Sequence, residues 1–357
     1  MKKLIKTPLK RKIGQRLFAF VLCSMLTGLA GINSFAQSKD YSTDPNLTKE
    51  VKAFLKLLNA GGPTLESLSP SEAQMVLVNA QQSVKVDLSG IDVSEKTIIA
   101  DGYKVKINIV RPAGVKTVLP VFIFIHGGGW VLGDFPTHQR MVRDLVVLSG
   151  AVGVFINYTR TPDAAYPRAI NEIYAATKWV SEHGAEINVD GKRLAVVGNS
   201  VGGNMTTVTA LMAKQKNGPA IKLQIMFWPI VDADFETDSY HLYGMQRFLT
   251  TSTMKWMYDM YIKDPEKRKD IYASPLQATI EQLRGLPPAL IAVAENDILR
   301  DEGEAYGRKL NDAGVTVTTV RYNGVIHDFG LLNGLAEIPQ TRSLFVQAAA
   351  ELKKYLW

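Results

Sequence analysis

Two glycine-rich segments, each directly after an apolar run, carry residues that could do chemistry. Ser200 lies at the centre of a Gly-x-Ser-x-Gly pattern in "GNSVGG" at 198–203, and "HGGGW" occupies 126–130. A serine between glycines at a strand-to-helix turn is typical of a nucleophile whose hydroxyl the sharp turn exposes. A glycine-rich loop can supply backbone N–H groups to the oxyanion that such an attack creates. The pattern predicts acyl transfer at Ser200; a serine that only caps the following helix is the alternative.

A serine nucleophile needs a base, and the base needs a carboxylate that orients it. Of the five histidines, His327 follows a predicted strand by a short loop. Parallel sheets hold their active sites beyond the carboxyl ends of strands, so we expect His327 to be the base. We expect His126 to shape the glycine-rich loop. The other three are predicted to be surface, cap or lid residues: His138, His183 and His241.

Asp297 is the predicted acid, because it follows a predicted strand within "AENDILRDEG". Asp301 and Glu302 fit the first turn of the next helix, where carboxylates interact favourably with the helix dipole. Asp328 adjoins His327 in a loop, where neighbouring side chains usually point apart. The order serine, aspartate, histidine along the chain is one that serine hydrolases use.

Strand and helix patterns alternate along most of the chain. Apolar runs predict strands at 104–110, 121–125, 152–156, 193–197, 222–228, 289–294 and 315–321. Helical patterns lie at 137–149, 165–183, 202–216, 300–313 and 339–355. This alternation predicts a single α/β domain, with helices on both faces of a mostly parallel sheet. The exposed last strand could pair with a second copy of the chain in a homodimer.

Two stretches interrupt this alternation. Residues 40–85 contain two short helical patterns, the second with a capping box formed by Ser69 and Glu72 around Pro70. Residues 232–273 are long and rich in methionine and aromatic residues. We expect both stretches to form a cap over the sheet. The apolar side chains of the second stretch either line an acyl pocket or fill the core of the cap itself.

The first 36 residues differ from the rest in charge. They hold seven Lys and Arg residues and no acid, so without them the net charge of +7 becomes a balance of 34 basic and 34 acidic residues. This balance argues against a nucleic-acid partner. A basic segment, a short uncharged stretch and small residues before Gln37 predict a secretory signal peptide at 1–36. A membrane anchor is the alternative, but the stretch is shorter than the roughly 20 apolar residues that a spanning helix needs.

Cleavage after Ala36 would leave residues 37–357 as the mature protein, which we expect to be periplasmic or secreted and without a membrane span. Cys23 is the only cysteine and would leave with the signal peptide. The mature chain would then have no disulfide, no cysteine nucleophile and no cysteine metal site.

Taken together, the motifs resemble those of the hormone-sensitive-lipase-like branch of the α/β-hydrolases, the bacterial family IV esterases. The resemblance covers about residues 75–340. It rests on "HGGGW", "NYTRTPDAAYP", "GNSVGGN" and "NDILRDEGEAY" followed by "IHDF". Asp297 and His327 are thirty residues apart, as the acid and base of the family are.

The resemblance implies an α/β-hydrolase fold with a helical cap formed by 40–85 and 232–273. It also implies an oxyanion hole formed by the backbone N–H groups of Gly127, Gly128 and Val201. The implied reaction is hydrolysis of short- to medium-chain acyl esters of small molecules, with no metal or other cofactor. An amide or lactone hydrolase on the same scaffold is the nearest alternative, and an inactive ligand-binding receptor is a more distant one.

The chain departs from the family pattern at three positions. Asn199 replaces the usual aspartate before the nucleophile, Val201 replaces the usual alanine after it, and Asp328 replaces the glycine that usually follows the histidine. The first change loses a charge that braces the turn, the second could narrow the pocket, and the third places an acid near the base. We expect these changes to tune substrate choice and pH optimum without abolishing activity.

Overall fold

An eight-stranded sheet forms the centre of the part of the chain that the structure describes. The structure, a computed structural model, describes residues 40–357, so the predicted signal peptide lies outside the described residues. The spatial order of the strands is β1-β2-β4-β3-β5-β6-β7-β8. Their bounds are β1 Ile91–Ala100, β2 Tyr103–Pro112, β3 Leu119–Ile125, β4 Val152–Asn157, β5 Val189–Asn199, β6 Ile221–Phe227, β7 Ala289–Asn296 and β8 Val317–Ile326.

Only two of the seven strand pairs are antiparallel. They join β1 to β2 and β2 to β4, whereas all pairs from β4 to β8 are parallel. The predicted fold class, an α/β-hydrolase fold with a mostly parallel sheet, is confirmed. The carboxyl ends of β5, β7 and β8 therefore lie along the same edge of the sheet.

Helices cover both faces of this sheet. Their bounds are α1 Lys49–Leu58, α2 Pro70–Gln82, α3 Phe135–Ser149, α4 Arg168–His183, α5 Val201–Gln215, α6 Asp238–Tyr243, α7 Thr251–Tyr261, α8 Ile280–Leu283, α9 Arg300–Asp312 and α10 Pro339–Leu356. Side chains alternate across a strand, so Phe122 and Phe124 of β3 join the core against α3 and α10. Ile123 and Ile125 join the core against α4 and α5. Burial on both faces explains why the central strands are continuous apolar runs.

The sequence pattern does not predict β1. This strand lies at the sheet edge and pairs only with β2, and most of its side chains are exposed. It therefore lacks the apolar run that marks the central strands. Asp101 and Gly102 join β1 to β2, and both adopt positive φ angles, +46° and +82°. An Asp-Gly pair is a strong hairpin signal, and it could have revealed the strand.

The last strand is longer than its predicted bounds of 315–321. It runs to Ile326, so His327 follows it directly and not by a loop. Asn323 and Gly324 suggest a turn by sequence, but Gly324 lies within the strand with a φ angle of +80°. A Cβ atom there would lie 2.6 Å from Cγ2 of Thr48, so the glycine allows a close approach of another segment.

That segment, residues 44–48, is called the N-terminal strap. The backbone N–H of Thr48 donates to the carbonyl oxygen of Gly324 at 3.1 Å. The side chain of Asn296 donates to the carbonyl oxygen of Asn46 at 2.9 Å. Asp44 forms a buried ion pair with Arg247. The strap thus contacts the ends of both β7 and β8.

The helices that follow the strap lie against the α/β core. The predicted capping box is confirmed, because the backbone N–H of Ser69 donates to Glu72 and that of Glu72 donates to Ser69 Oγ. At the other end of α2, buried Gln81 donates to two backbone carbonyl oxygens, those of Thr137 and Leu331. None of the helices within residues 40–357 combines the length and the apolar character needed to cross a membrane.

Candidate active site

Ser200 lies at the sharp turn between β5 and α5. Its φ and ψ angles are +54° and −122°, a conformation that costs energy for a residue with a side chain. The flanking glycines allow this turn, since a Cβ on Gly198 would collide with the backbone of Gly202, and one on Gly202 with the carbonyl of Ile125. Ser200 is the N-cap residue of α5, but its side chain makes no capping hydrogen bond. Its hydroxyl is therefore available for another partner.

That partner is His327. Its Nε2 atom lies 3.1 Å from Oγ of Ser200, and its Nδ1 atom lies 2.7 Å from Oδ2 of Asp297. The three residues are 5%, 3% and 1% exposed in the order Ser200, His327 and Asp297. With Nδ1–H donating to the carboxylate, Nε2 is left to accept the serine proton. The structure thus brings together the three side chains that the sequence reasoning selected.

Two of the other histidines flank the glycine-rich loop. His126 is buried, and its Nδ1 atom lies 2.8 Å from the carbonyl oxygen of Gly127. The prediction for His138 as a surface or cap residue is wrong, because its side chain is fully buried with its ring 5.4 Å from that of His126. Its helix, α3, is covered by the sheet on one side and by α2 and α10 on others. His183 and His241 are exposed.

The other three carboxylates considered for orienting the base do not bond to Nδ1 of His327. Asp301 and Glu302 occupy the first turn of α9, as predicted. Asp301 pairs with Arg300. The expectation that Asp328 points away from His327 is wrong. Its Oδ2 atom lies 3.8 Å from Nε2 of His327. Asp328 has a φ angle of +58°, and this left-handed backbone brings its side chain back toward the imidazole.

The glycine-rich loop differs from the expectation at one donor. The N–H of Gly127 is not available to an oxyanion, because it donates to Oδ1 of Asn199 at 2.9 Å. Gly128 and Gly129 then turn the loop with φ angles of +107° and +62°. Among residues 40–357, no acceptor is found for the backbone N–H groups of Gly128, Gly129 and Val201. These three N–H groups are therefore the ones that remain available for an oxyanion.

Helix α7 of the segment 232–273 packs against this loop. Met257 of α7 covers Gly129, since a Cβ on that glycine would collide with its sulfur atom. Trp130 stacks on Tyr261 with ring centroids 4.3 Å apart and meets Tyr258 edge-on at 5.1 Å. Part of the aromatic and methionine content of this segment therefore borders the site, and is not only internal packing.

Burial and charge shift the histidine pKa values in opposite directions. Burial by itself lowers the pKa of His327, but the carboxylates of Asp297 and Asp328 outweigh it, so the pKa is raised above its ordinary value. Burial lowers the pKa of His126 well below its ordinary value and that of His138 to about 4. Of these three buried histidines, only His327 is therefore poised to gain a proton during a reaction near neutral pH.

Within the described part of the chain, no group of three or more His, Cys, Asp or Glu side chains is arranged to hold a metal ion. The chemistry available to these residues is nucleophilic attack by a serine hydroxyl, with proton transfer through an imidazole and three N–H donors for an oxyanion.

Comparison with known proteins agrees with this geometry. A family model described as the alpha/beta hydrolase fold matches residues 122–331, a span that includes Ser200, Asp297 and His327. The match covers more than half of the chain. The chain belongs to the α/β-hydrolase family. Its resemblance to the hormone-sensitive-lipase-like branch is confirmed as well.

Several relatives of this α/β-hydrolase are named for their activity. Ethyl acetate hydrolase of Pseudomonas putida is 30% identical over 302 residues, which cover 82% of this chain and 94% of that protein. Carboxylesterase NlhH of Mycobacterium tuberculosis is 31% identical over 271 residues, with 75% and 84% covered. The crystal structure of a thermostable esterase from Pseudomonas putida ECU1011 is 60% identical with a TM-score of 0.87, and the match covers 88% of this chain and 99% of that one.

Sequence reasoning missed two features of this α/β-hydrolase site. The first is the availability of the Gly129 N–H in place of that of Gly127. It follows from the hydrogen bond between Gly127 and Asn199, which are 72 positions apart in sequence. The sequence does hold a sign of this, because "HGGGW" contains a third glycine beside the two that were expected to form the oxyanion hole. The position of Asp328 depends on its backbone angle, and the glycine that the family pattern usually has after the histidine was the only hint.

Proposed function

We propose that this α/β-hydrolase is a serine carboxylesterase that acts on short- to medium-chain acyl esters. The observation that carries the proposal is the chain of hydrogen bonds from Ser200 through His327 to Asp297 at a strained turn. The names of the relatives support an ester as the substrate class.

In the first half of the reaction, Oγ of Ser200 attacks the ester carbonyl carbon while Nε2 of His327 takes its proton. Asp297 holds the imidazole in the correct tautomer and stabilises the imidazolium that forms. The N–H groups of Gly128, Gly129 and Val201 donate to the oxyanion of the tetrahedral intermediate. His327 then protonates the alcohol as the C–O bond breaks, which leaves an acyl group on Ser200.

In the second half, a water molecule attacks the acyl carbon and gives a proton to His327. The same N–H groups stabilise the second oxyanion, and the proton returns to Ser200 as the acid leaves. The oxyanion donors belong to a buried loop and a helix start, so they are fixed before substrate binds. Fixed donors need no reorganisation during the reaction, and this is the main source of their effect.

The same residues could cleave an amide or a lactone, and an inactive receptor could keep the scaffold. The hydrogen-bonded serine, histidine and aspartate favour an active enzyme over a receptor. Purified protein should hydrolyse p-nitrophenyl acetate, butyrate and octanoate, whereas the Ser200→Ala variant should not. Wild-type protein that is inactive with all three esters would contradict the esterase proposal.

Labelling with an organophosphonate separates the remaining cases. An activated Ser200 should form a covalent adduct that mass spectrometry can assign to its peptide, and Ser200→Ala should form none. Labelling without ester hydrolysis would favour an amide or lactone substrate. Absence of both would favour the receptor.

We also infer that the protein is exported and cleaved after Ala36. The basic and apolar pattern of residues 1–36 supports this proposal, as do the small residues at the cleavage point. Amino-terminal sequencing of the protein from the periplasm or medium should begin at Gln37. Cytoplasmic protein that retains residues 1–36 would contradict it.

A homodimer through β8 is the last part of the proposal. β8 is an edge strand, and its residues Thr318 and Thr319 are exposed. An unpaired edge can add a strand from a second copy across a two-fold axis. Light scattering of the purified protein should give twice the monomer mass, and a proline at Thr319 should return the monomer. A monomeric wild type would contradict this part.

A further inference from the structure

The side chain of Asn199, next to the nucleophile, connects the oxyanion loop with the loop that carries the base. Its Oδ1 atom accepts from the N–H of Gly127 at 2.9 Å, and its Nδ2 atom donates to Oδ1 of Asp328 at 3.0 Å. Asn199 is fully buried. Both ends of the amide are therefore used, and its orientation is fixed.

Asp328 is held from a second side as well. Nε1 of Trp228 donates to the same Oδ1 atom at 2.6 Å. The backbone carbonyl of Asp328 accepts from the N–H groups of Leu331 and Leu332. Two donors thus fix Oδ1 of Asp328, and two backbone N–H groups fix its carbonyl oxygen. These four hydrogen bonds together determine the position of Oδ2.

Oδ2 of Asp328 faces the catalytic nitrogen. It lies 3.8 Å from Nε2 of His327, beyond hydrogen-bonding distance but close enough for a strong interaction between charges. Nε2 is the atom that takes the proton from Ser200. The imidazole thus has one carboxylate at each nitrogen, Asp297 at Nδ1 and Asp328 at Nε2.

We propose that Asp328 is a positioning residue of this esterase, which stabilises the protonated form of His327 and is coupled through Asn199 to the oxyanion loop. The proposal rests on the esterase function proposed above. The carboxylate of Asp328 lies next to the imidazole of His327, which gains positive charge in the transition state. The distance of 3.8 Å leaves Nε2 free to exchange its proton with the substrate.

Few titratable groups compete with this effect. His327 faces Asp297 from the loop after β7, Ser200 from the turn after β5 and the uncharged ring of Trp228 from the end of β6. From α3, His138 faces Asp328, and burial keeps its pKa at about 4. His138 is therefore neutral in the pH range of an esterase assay. The two carboxylates raise the pKa of His327 against the effect of burial.

Asp328→Asn tests the charge with little change in shape. The new amide keeps an oxygen for the N–H groups of Asn199 and Trp228, and asparagine tolerates a positive φ angle. We expect the acid limb of the pH profile of kcat/KM to move about one unit lower, because the imidazole loses one of two stabilising carboxylates. At alkaline pH, kcat should fall a few-fold while KM stays the same.

Asp190→Asn is the matched control, because it makes the same change at the opposite end of β5 from Ser200. Its pH profile should equal that of the wild type. A profile of Asp328→Asn that also equals that of the wild type would overturn the proposal. The rate of Ser200 phosphonylation against pH gives a second measurement that does not depend on deacylation, and its midpoint should shift in the same direction.

A charge exchange tests the coupling to Asn199. Asn199→Asp alone puts two carboxylates 3.0 Å apart, where the amide now donates, and should lower kcat more than tenfold. Adding Asp328→Asn restores one carboxylate and one amide to the pair. The double variant should recover activity relative to Asn199→Asp, and a failure to recover would refute the coupling.

These outcomes are separable from failure of the esterase function. If wild-type protein neither hydrolyses the p-nitrophenyl esters nor reacts with the organophosphonate, the proposed function itself is wrong. If wild-type protein is active and Asp328→Asn keeps the same pH profile, only the role of Asp328 is wrong.

Discussion

Met257 limits the room next to the oxyanion loop, so its truncation should change which acyl chains the enzyme accepts. Met257→Ala removes three heavy atoms from a side chain that covers Gly129. The space would admit roughly three more methylene groups, each worth about 0.8 kcal/mol when buried. The total of about 2.4 kcal/mol corresponds to an upper limit of about 50-fold in relative specificity.

The assay is the ratio of kcat/KM for p-nitrophenyl octanoate to that for p-nitrophenyl acetate. We expect Met257→Ala to raise this ratio by ten- to fifty-fold, chiefly through the longer ester. The substitution should also lower the free energy of unfolding by about 2 kcal/mol, near the lower limit for the truncation of a buried methionine.

Met212→Ala is the control for lost packing. Met212 is buried in the last turns of α5, remote from Ser200, so its truncation should destabilise the protein without changing the ratio. An unchanged ratio in Met257→Ala would refute the reasoning that this side chain restricts the acyl site.

Three further results are expected. Asp297→Asn should lower kcat by about 10³–10⁴ in the p-nitrophenyl acetate assay, since the amide favours the wrong tautomer of His327; a normal rate would mean that another carboxylate orients the base. Gln81→Ala should lower the free energy of unfolding in urea by about 2–4 kcal/mol, because two buried carbonyls lose their donor, and an unchanged midpoint would contradict this. The pKa of His138 is about 4 in the folded protein, so the unfolded chain binds more protons between pH 6.5 and 4, and stability falls as the pH falls. Over that range the contribution of His138 is about 3 kcal/mol, and His138→Gln should show a shallower pH dependence in urea denaturation than the wild type.

The central sheet could be predicted because its signals are local. Strands such as β3 are buried on both faces, and an uninterrupted apolar run follows from that burial. Ser200 could be predicted for a similar reason, since the glycines that its turn requires are its neighbours in sequence. Asp297 and His327 could be predicted as well, because each lies close in sequence to the end of a strand.

The features that escaped prediction depend on contacts between distant segments. His138 has the sequence surroundings of an amphipathic helix, and only the cover that α2 and α10 add makes it buried. The N–H of Gly127 is directed to Asn199 by the relative position of two loops. The side chain of Asp328 turns toward the base because its backbone adopts a positive φ angle. No periodicity in the sequence reports such geometry.

The N-terminal strap links the amino-terminal segment to the positions of the catalytic acid and base. One of its contacts is with Asn296, the residue before Asp297, and another is with Gly324, three residues before His327. The acid and the base follow two neighbouring strands that pair with each other as far as Asn296 and Ile326, and the strap contacts the ends of both. A protease that trimmed the chain past Thr48 would therefore remove contacts beside both catalytic side chains while the pairing of β7 with β8 stayed intact.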